Sequence, residues 1–334
     1  MVTTTKWLTL TPQGLYCIPG QFYIDPTSLV SSAIITHGHS DHALAGHHKI
    51  LATPETVAIM QLRYGIDSTT HWQSLSYFQS LLINQVKVLF LPAGHVLGSA
   101  QIVLEYDHNR VIISGDYKRR FDPTCMPFEA LNCDTFITEA TFGLPVFKHP
   151  PIEHELNKLL HSLETFSTCH LVGVYPLGKC QRLIKSLRII NYQEPIYLHG
   201  ALIKLCQLYE TFGVKLGELR LANTLDTKSA AGKIVLCPPS SLNDRWTRRF
   251  GESIKAQASG WMQIRARAKQ KAIDLPLIIS DHADWPELVQ TMTEVNPYEI
   301  WVTHGQEEAL VYYATKNGYQ AQALHLMGYE EDGN

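Results

Sequence analysis

Ser32-Ala33-Ile34-Ile35-Thr36-His37-Gly38-His39-Ser40-Asp41-His42 runs from an apolar, strand-like segment straight into four side chains able to bind a metal. Four potential ligands within six residues cannot all serve one tetrahedral ion, because so short a chain cannot wrap around it. His37 and His39, on alternate positions, can take one ion, while Asp41 and His42 take a neighbour. Imidazole and carboxylate donors suit zinc, with manganese or iron as alternatives at a more oxygen-rich site. His47 and His48 lie beyond the run and read as surface or supporting residues.

The same pattern of an apolar run ending in a potential ligand recurs three times. His95 follows Phe90-Leu91-Pro92-Ala93-Gly94, Asp116 follows Val111-Ile112-Ile113-Ser114-Gly115, and His304 follows Ile300-Trp301-Val302-Thr303. Strand ends hold side chains on a rigid rim, so four rims can converge on one pocket. Residues 7–36 alternate apolar runs with turns at Pro12-Gln13-Gly14, Pro19-Gly20 and Asp25-Pro26, and Thr53–Tyr64 has helical spacing. From about Pro150 the rhythm becomes strand–helix: strand Leu171–Tyr175, helix Lys179–Ile189, strand Pro195–His199, helix Ala201–Phe212 and strand Lys233–Cys237. That rhythm predicts a parallel sheet with helices packed on it. Strand signals return at Leu275–Ser280 and Glu299–Val302, followed by a helix over Ala309–Asn317 and a strand over Ala321–Leu326.

The chain has 334 residues, 45% of them hydrophobic and 18% charged, which argues for a folded protein rather than a disordered one. The start of the sequence lacks the basic and apolar regions of a signal peptide, and no apolar run is long enough to span a bilayer. Seven scattered cysteines without a CxxC pair read as reduced thiols. Together these features predict a cytoplasmic protein that does not enter the membrane. The net charge of −3 hides an asymmetry: residues 151–280 carry 18 Lys and Arg against 10 Asp and Glu, and the remainder 10 against 21. The basic excess peaks at Arg245, Arg248, Arg249, Lys255, Arg265, Arg267, Lys269 and Lys271, as expected of a face that meets a polyanion.

Thr36–His42, Ala93-Gly94-His95-Val96-Leu97-Gly98-Ser99-Ala100 and Ser114-Gly115-Asp116-Tyr117 resemble the successive motifs of metallo-β-lactamase-fold hydrolases. Thr138-Glu139-Ala140-Thr141-Phe142-Gly143, Ser280-Asp281-His282-Ala283-Asp284 and Val302-Thr303-His304-Gly305 resemble the further motifs of the β-CASP nuclease branch. Gly14-Leu15-Tyr16-Cys17, Phe22-Tyr23-Ile24-Asp25-Pro26 and Cys133-Asp134-Thr135-Phe136 bring the chain nearest to bacterial DNA-ligase-associated exonucleases. The resemblance implies two divalent metal ions, zinc first and manganese as the alternative. His37, His39 and His95 would hold one ion, Asp41, His42 and His304 the other, and Asp116 would bridge them. It further implies an in-line attack on phosphorus by a hydroxide from the dinuclear site, which Asp41 could orient. His282 would be the general acid, oriented by Glu139 and supported by Asp284. Lys179 and Arg182, on a strand-to-helix turn, Lys118, after Asp116, and Asp284 are weaker candidates for contacts to substrate.

The resulting expectation is an α/β protein, an αββα metallo-β-lactamase sandwich from residues 1–147 and 272–334, with a β-CASP-like cap over 148–271 inserted and the active site in the cleft between them. The expected function is a metal-dependent DNA exonuclease in repair, working 5′-to-3′ on single strands or frayed ends. DNA is favoured over RNA as partner, and functional association with a DNA ligase and a helicase rests on the resemblance. The rival readings are an RNA-processing nuclease resembling ribonuclease J or the mRNA 3′-end endonucleases, a small-molecule esterase, and a nucleic-acid-binding scaffold without catalysis.

Overall fold

Ala33, Ile34 and Ile35 are all buried, yet they serve different layers, because successive side chains of a strand point to opposite faces. In the computed structural model, which describes residues 4–66 and 68–326, Ile34 packs with Trp7, Leu15, Phe22, Phe90, Ile102 and Trp301 between two sheets. Ala33 and Ile35 pack instead with Ile50, Ala52 and Met60, the last from helix α1 (Pro54–Tyr64) on the outer face of the first sheet. A strand buried on both faces reads as a continuous apolar run, as Ile34-Ile35 does.

The first sheet holds β1 (Leu8–Thr11), β2 (Gly14–Cys17), β3 (Phe22–Ile24), β4 (Ser32–Ile34), β5 (Lys49–Ala52) and β6 (His71–Ser74), each beside its neighbour in the chain. It is antiparallel from β1 to β3 and parallel from β3 to β6. The second sheet begins with β7 (Ser80–Ile83), β8 (Val86–Pro92), β9 (Ala100–Tyr106) and β10 (Asn109–Ile113), antiparallel throughout. Then β11 (Thr135–Ala140) joins β10 in parallel. Val111 and Ile113 enter the core between the sheets, while Ile112 faces outward with Val103 and Phe136. Each such aliphatic side chain taken from water contributes about 1.5–3 kcal/mol.

Residues His149–Asp281 form a second compact unit. Its elements are α2 (Ile152–Thr165), β12 (Cys169–Gly173), α3 (Lys179–Ile189), β13 (Ile196–Leu198), α4 (Gly200–Thr211), β14 (Leu219–Leu221), β15 (Ile234–Cys237), β16 (Ser253–Ala258), α5 (Arg265–Gln270) and β17 (Leu275–Leu277). The sheet is parallel throughout, in the order β14-β13-β15-β12-β16-β17. The sequence placed the return boundary at 271/272, whereas the units divide after Asp281, because Leu275 pairs with Ala256 and makes β17 an edge strand of this sheet. Arg245, Arg248 and Arg249 are exposed in the segment after β15, and Arg265, Arg267, Lys269 and Lys271 in the segment after β16. The Arg267 guanidinium lies over the Trp261 ring, 4.0 Å from its centre.

The chain re-enters the first unit at His282 and adds α6 (Trp285–Val295), β18 (Glu299–Gly305), α7 (Glu307–Lys316) and β19 (Gln320–Ala323). β18 pairs in parallel with β11, Thr135 opposite Glu299, so the second unit interrupts a single strand–helix–strand crossover. The ends of that interruption are close: the Trp285 amide donates to the Phe147 carbonyl at 3.1 Å. Leu288, Met292, Leu310 and Ala314 of α6 and α7 cover Ile300 and Val302, which completes a helix–sheet–sheet–helix sandwich in this unit. None of the seven cysteines is in a disulfide, and among the described residues no helix is long and apolar enough to cross a membrane.

Candidate metal centre

The first rim is braced by contacts from outside its own loop. Asp25, immediately after β3, accepts from the Thr36 amide at 2.8 Å and the Thr36 hydroxyl at 2.5 Å. That hydroxyl lies 2.9 Å from His37 Nδ1. Arg63, near the end of α1, donates to the Gly38 carbonyl at 2.6 Å. The start of α1 anchors the second rim: the Thr53 and Thr56 hydroxyls both donate to the Gly98 carbonyl, at 2.7 and 3.0 Å. Gly98 has φ +80°, and a Cβ there would meet the Thr56 amide nitrogen at 2.8 Å, so no larger residue fits. Next to it, the Ser99 hydroxyl accepts from the His95 amide at 3.1 Å.

These rims converge on Asp116. Its Oδ2 lies 3.5 Å from His37 Nε2, 3.7 Å from both His42 Nε2 and His95 Nε2, and 3.9 Å from His282 Nδ1. Burial would raise the Asp116 carboxyl, but His42, His282 and His37 outweigh it and hold the group well below its usual range, as a carboxylate. His37 is driven the other way, well below the ordinary imidazole value, by burial and then by His42. A neutral His37 keeps a lone pair, and its Nε2 is buried without a hydrogen-bond partner. His39 Nδ1 and His95 Nε2 lie only 3.0 Å apart.

His42 stands with its Nδ1 2.7 Å from Asp25 Oδ2. The carboxylate can only accept, so Nδ1 carries the proton and Nε2 points inward as a potential ligand. Burial lowers the His42 pKa, but Asp116 and then Asp25 overcome it and push the value up to about 10. The local field therefore favours a cation at this position.

His37, His39, His95 and Asp116 form one group whose ligand atoms lie within 4.8 Å of one another, as do Asp25, His37 and His42, and Asp116, Glu139 and His282. A buried imidazole nitrogen without a partner, imidazoles facing each other and a shared carboxylate form a donor set that fits divalent metal ions.

His282 donates from Nδ1 to Glu139 at 3.0 Å; Glu139 is buried and also accepts from the Tyr117 amide at 2.7 Å. The other predicted residues are arranged less uniformly. Asp41 is 73% exposed, its carboxylate 3.9 Å from His42 Nε2. His304 sits at positive φ with its ring centre 4.9 Å from that of His42. Neither joins the ligand groups found among the described residues.

Lys118, Asp284, Lys179 and Arg182 require correction, since all four are buried rather than presented to a substrate backbone. Lys118 donates to the His282 carbonyl at 3.0 Å and to Glu287 at 3.3 Å, and Asp284 caps α6 by accepting from the Glu287 amide. In the second unit Lys179 pairs with Asp281 at 2.8 Å, and Arg182 donates to the Ser280 carbonyl. Lys118, Asp284 and Arg182 thus fix backbone, and Lys179 is held by a carboxylate. Asp25 and Arg63 are the supporting residues that sequence reasoning passed over. Asp25 had the same signal as the ligands, a polar residue ending an apolar strand, but Pro26 made it read as a turn.

No family model matches the chain. A protein named "Probable DNA ligase" from Opitutus terrae is 30% identical over 315 residues, 93% of this chain and 30% of that protein. An "RNase J-like protein" from Methanocaldococcus jannaschii is 26% identical over 243 residues, 63% of this chain and 57% of its own length. An "Endoribonuclease ysh-1" from Neurospora crassa is 26% identical over 294 residues, 73% of this chain and 33% of its own. The chain thus spans between about a third and just over half of these relatives. A crystal structure of a protein of unknown function from Enterococcus faecalis shares the fold, with a TM-score of 0.59 at 13% identity over 86% of this chain and 78% of that one. The ordered motifs, the sandwich carrying an inserted α/β unit, the His/Asp cluster at its strand ends and these relatives are together consistent with the metallo-β-lactamase-fold β-CASP nuclease family.

Proposed function

We propose that this chain is a dinuclear, zinc-dependent phosphodiesterase that degrades DNA from an end, in the manner of a repair exonuclease. The observation that carries the reading is the convergence of His37, His42, His95 and His282 on one buried carboxylate, Asp116. His37, His39 and His95 would hold one ion, His42, Asp41 and His304 the other, with Asp116 shared. When bound, two divalent ions supply an activated water and neutralise charge on the phosphoryl oxygens.

The protein's own groups do the rest. Asp25 holds the His42 tautomer that leaves Nε2 inward. Glu139, accepting from His282 Nδ1, aims that imidazole toward the centre, where it can give a proton to the leaving oxygen. Asp41, exposed beside His42, would accept a proton from the attacking water. Exposed arginines and lysines of the second unit supply contacts to a phosphate backbone that do not depend on base sequence. DNA is supported by the match to the protein named a DNA ligase, which runs over 93% of this chain.

A second reading, an RNA-processing endonuclease, is favoured by the similarity to the RNase J-like protein and to endoribonuclease ysh-1. Matched DNA and RNA oligonucleotides labelled at either end, incubated with metal-stripped and zinc-reloaded enzyme, separate the two. The expected result is zinc-dependent release of nucleotides from DNA, starting at the 5′ end. Internal cuts in RNA with DNA left intact would establish the second reading instead.

A further inference from the structure

We propose that the buried Lys118–Glu287 pair is a positioning element for His282, acting through the main chain rather than through its imidazole. The inference rests on the reading of His282 given above and deepens it. Residues 117–120, which directly follow Asp116, are stitched to residues 282–287. The Ala283 amide donates to the Tyr117 carbonyl at 2.6 Å. Lys118 Nζ donates to the His282 carbonyl and to Glu287 Oε2. The Arg120 amide donates to Glu287 Oε1 at 2.7 Å, and its guanidinium to Asp284. Glu287 also accepts from the Asp284 amide at 3.0 Å.

The segment is tied in the other direction too, since the Lys118 amide donates to the Ala93 carbonyl at 3.0 Å, just before His95. His282 is therefore held at both ends, its ring by Glu139 and its carbonyl by Lys118. Lys118 is 2% exposed and Glu287 4%. For stability alone, apolar residues of the same volume serve as well or better at such a depth, because burying two charges costs several kcal/mol each. What an apolar pair cannot supply is a directed bond to the His282 carbonyl. A displacement of about 1 Å at a reacting group costs up to about a hundredfold in rate.

The test replaces the pair by apolar isosteres, Lys118→Met with Glu287→Leu, in the full chain loaded with zinc, alone and combined with His282→Ala. The expected result is a folded protein with wild-type zinc content, KM within about twofold and kcat about 10- to 100-fold lower. In the His282→Ala background the same swap should change kcat by less than about twofold. A readout independent of turnover is the ¹⁵N imidazole spectrum, in which the His282 signals should shift or broaden while those of His37 and His95 stay in place. If the apolar pair does not fold, the neutral polar pair Lys118→Gln with Glu287→Gln is measured in the same way. A folded variant with unchanged kcat and unchanged His282 signals overturns the proposal, as does equal slowing with and without His282. If the wild-type enzyme cuts no nucleic acid, the nuclease reading fails, and the imidazole spectrum still decides the positioning role.

Discussion

Asp25 Oδ2 and His42 Nδ1 lie 2.7 Å apart, and this contact sets which nitrogen of His42 faces Asp116 and the candidate metal centre. Asp25→Asn places an amide that can donate as well as accept at that point, so the tautomer is no longer enforced. Zinc affinity, measured by competition with a chromophoric chelator, should fall about 10- to 100-fold, with the circular dichroism spectrum unchanged. Unaltered affinity would mean that His42 does not depend on this partner.

Gly98 carries the carbonyl that both Thr53 and Thr56 use to dock α1. Gly98→Ala forces a Cβ into atoms 2.7–2.8 Å away at φ +80°. Urea unfolding should show a loss of roughly 2–4 kcal/mol, together with weaker zinc binding because His95 lies on the same loop.

The pH dependence of stability should carry the imprint of Glu287. Burial pushes its carboxyl up, but Lys118, the Asp284 amide and Arg120 outweigh burial and hold it below its ordinary value of 4.5. A folded value below the unfolded one adds stability that is full above about pH 4.5 and is lost as the pH falls through the folded value. Urea melts should show Glu287→Gln costing more at about pH 7 than at about pH 3. A cost independent of pH would show that the ion pair is not what Glu287 contributes.

In the second unit, Lys179 and Asp281 form a pair with side chains only 6% and 3% exposed. Lys179→Ala removes the cation beside the buried Asp281 carboxylate, at a cost of about 3–5 kcal/mol. Adding Asp281→Ala should restore part of that loss in thermal melts, giving a coupling that separate surface residues would not show.

The sandwich was legible because its strands end in candidate ligands: His37, His95 and Asp116 each follow a buried apolar run, and a strand end is a rigid place to hold a side chain. The strand–helix alternation of residues 171–237 likewise gave the parallel sheet of the second unit. What the sequence hid was the use made of charge. Lys118, Lys179 and Arg182 look like surface cations in any linear pattern, since lysine and arginine are rarely buried without a partner. Their partners, the His282 carbonyl, Asp281 and the Ser280 carbonyl, lie about 100 residues away or more, beyond the reach of local spacing. The edge strand β17 was assigned to the wrong unit for a related reason, because Leu275–Leu277 carries no mark of which sheet it joins.

The bond from the Trp285 amide to the Phe147 carbonyl makes the departure and return of the chain around residues 149–281 adjacent points. Topologically the whole second unit occupies the place of a surface loop in one β–α–β crossover, and the ladder between β11 and β18 closes as if it were absent. Such a graft point lets the inserted unit drift in length, charge and binding preference while the strand ends that carry the His/Asp cluster keep their register. One metal centre of this kind can therefore be matched to different polyanions by exchanging what hangs between Phe147 and Trp285.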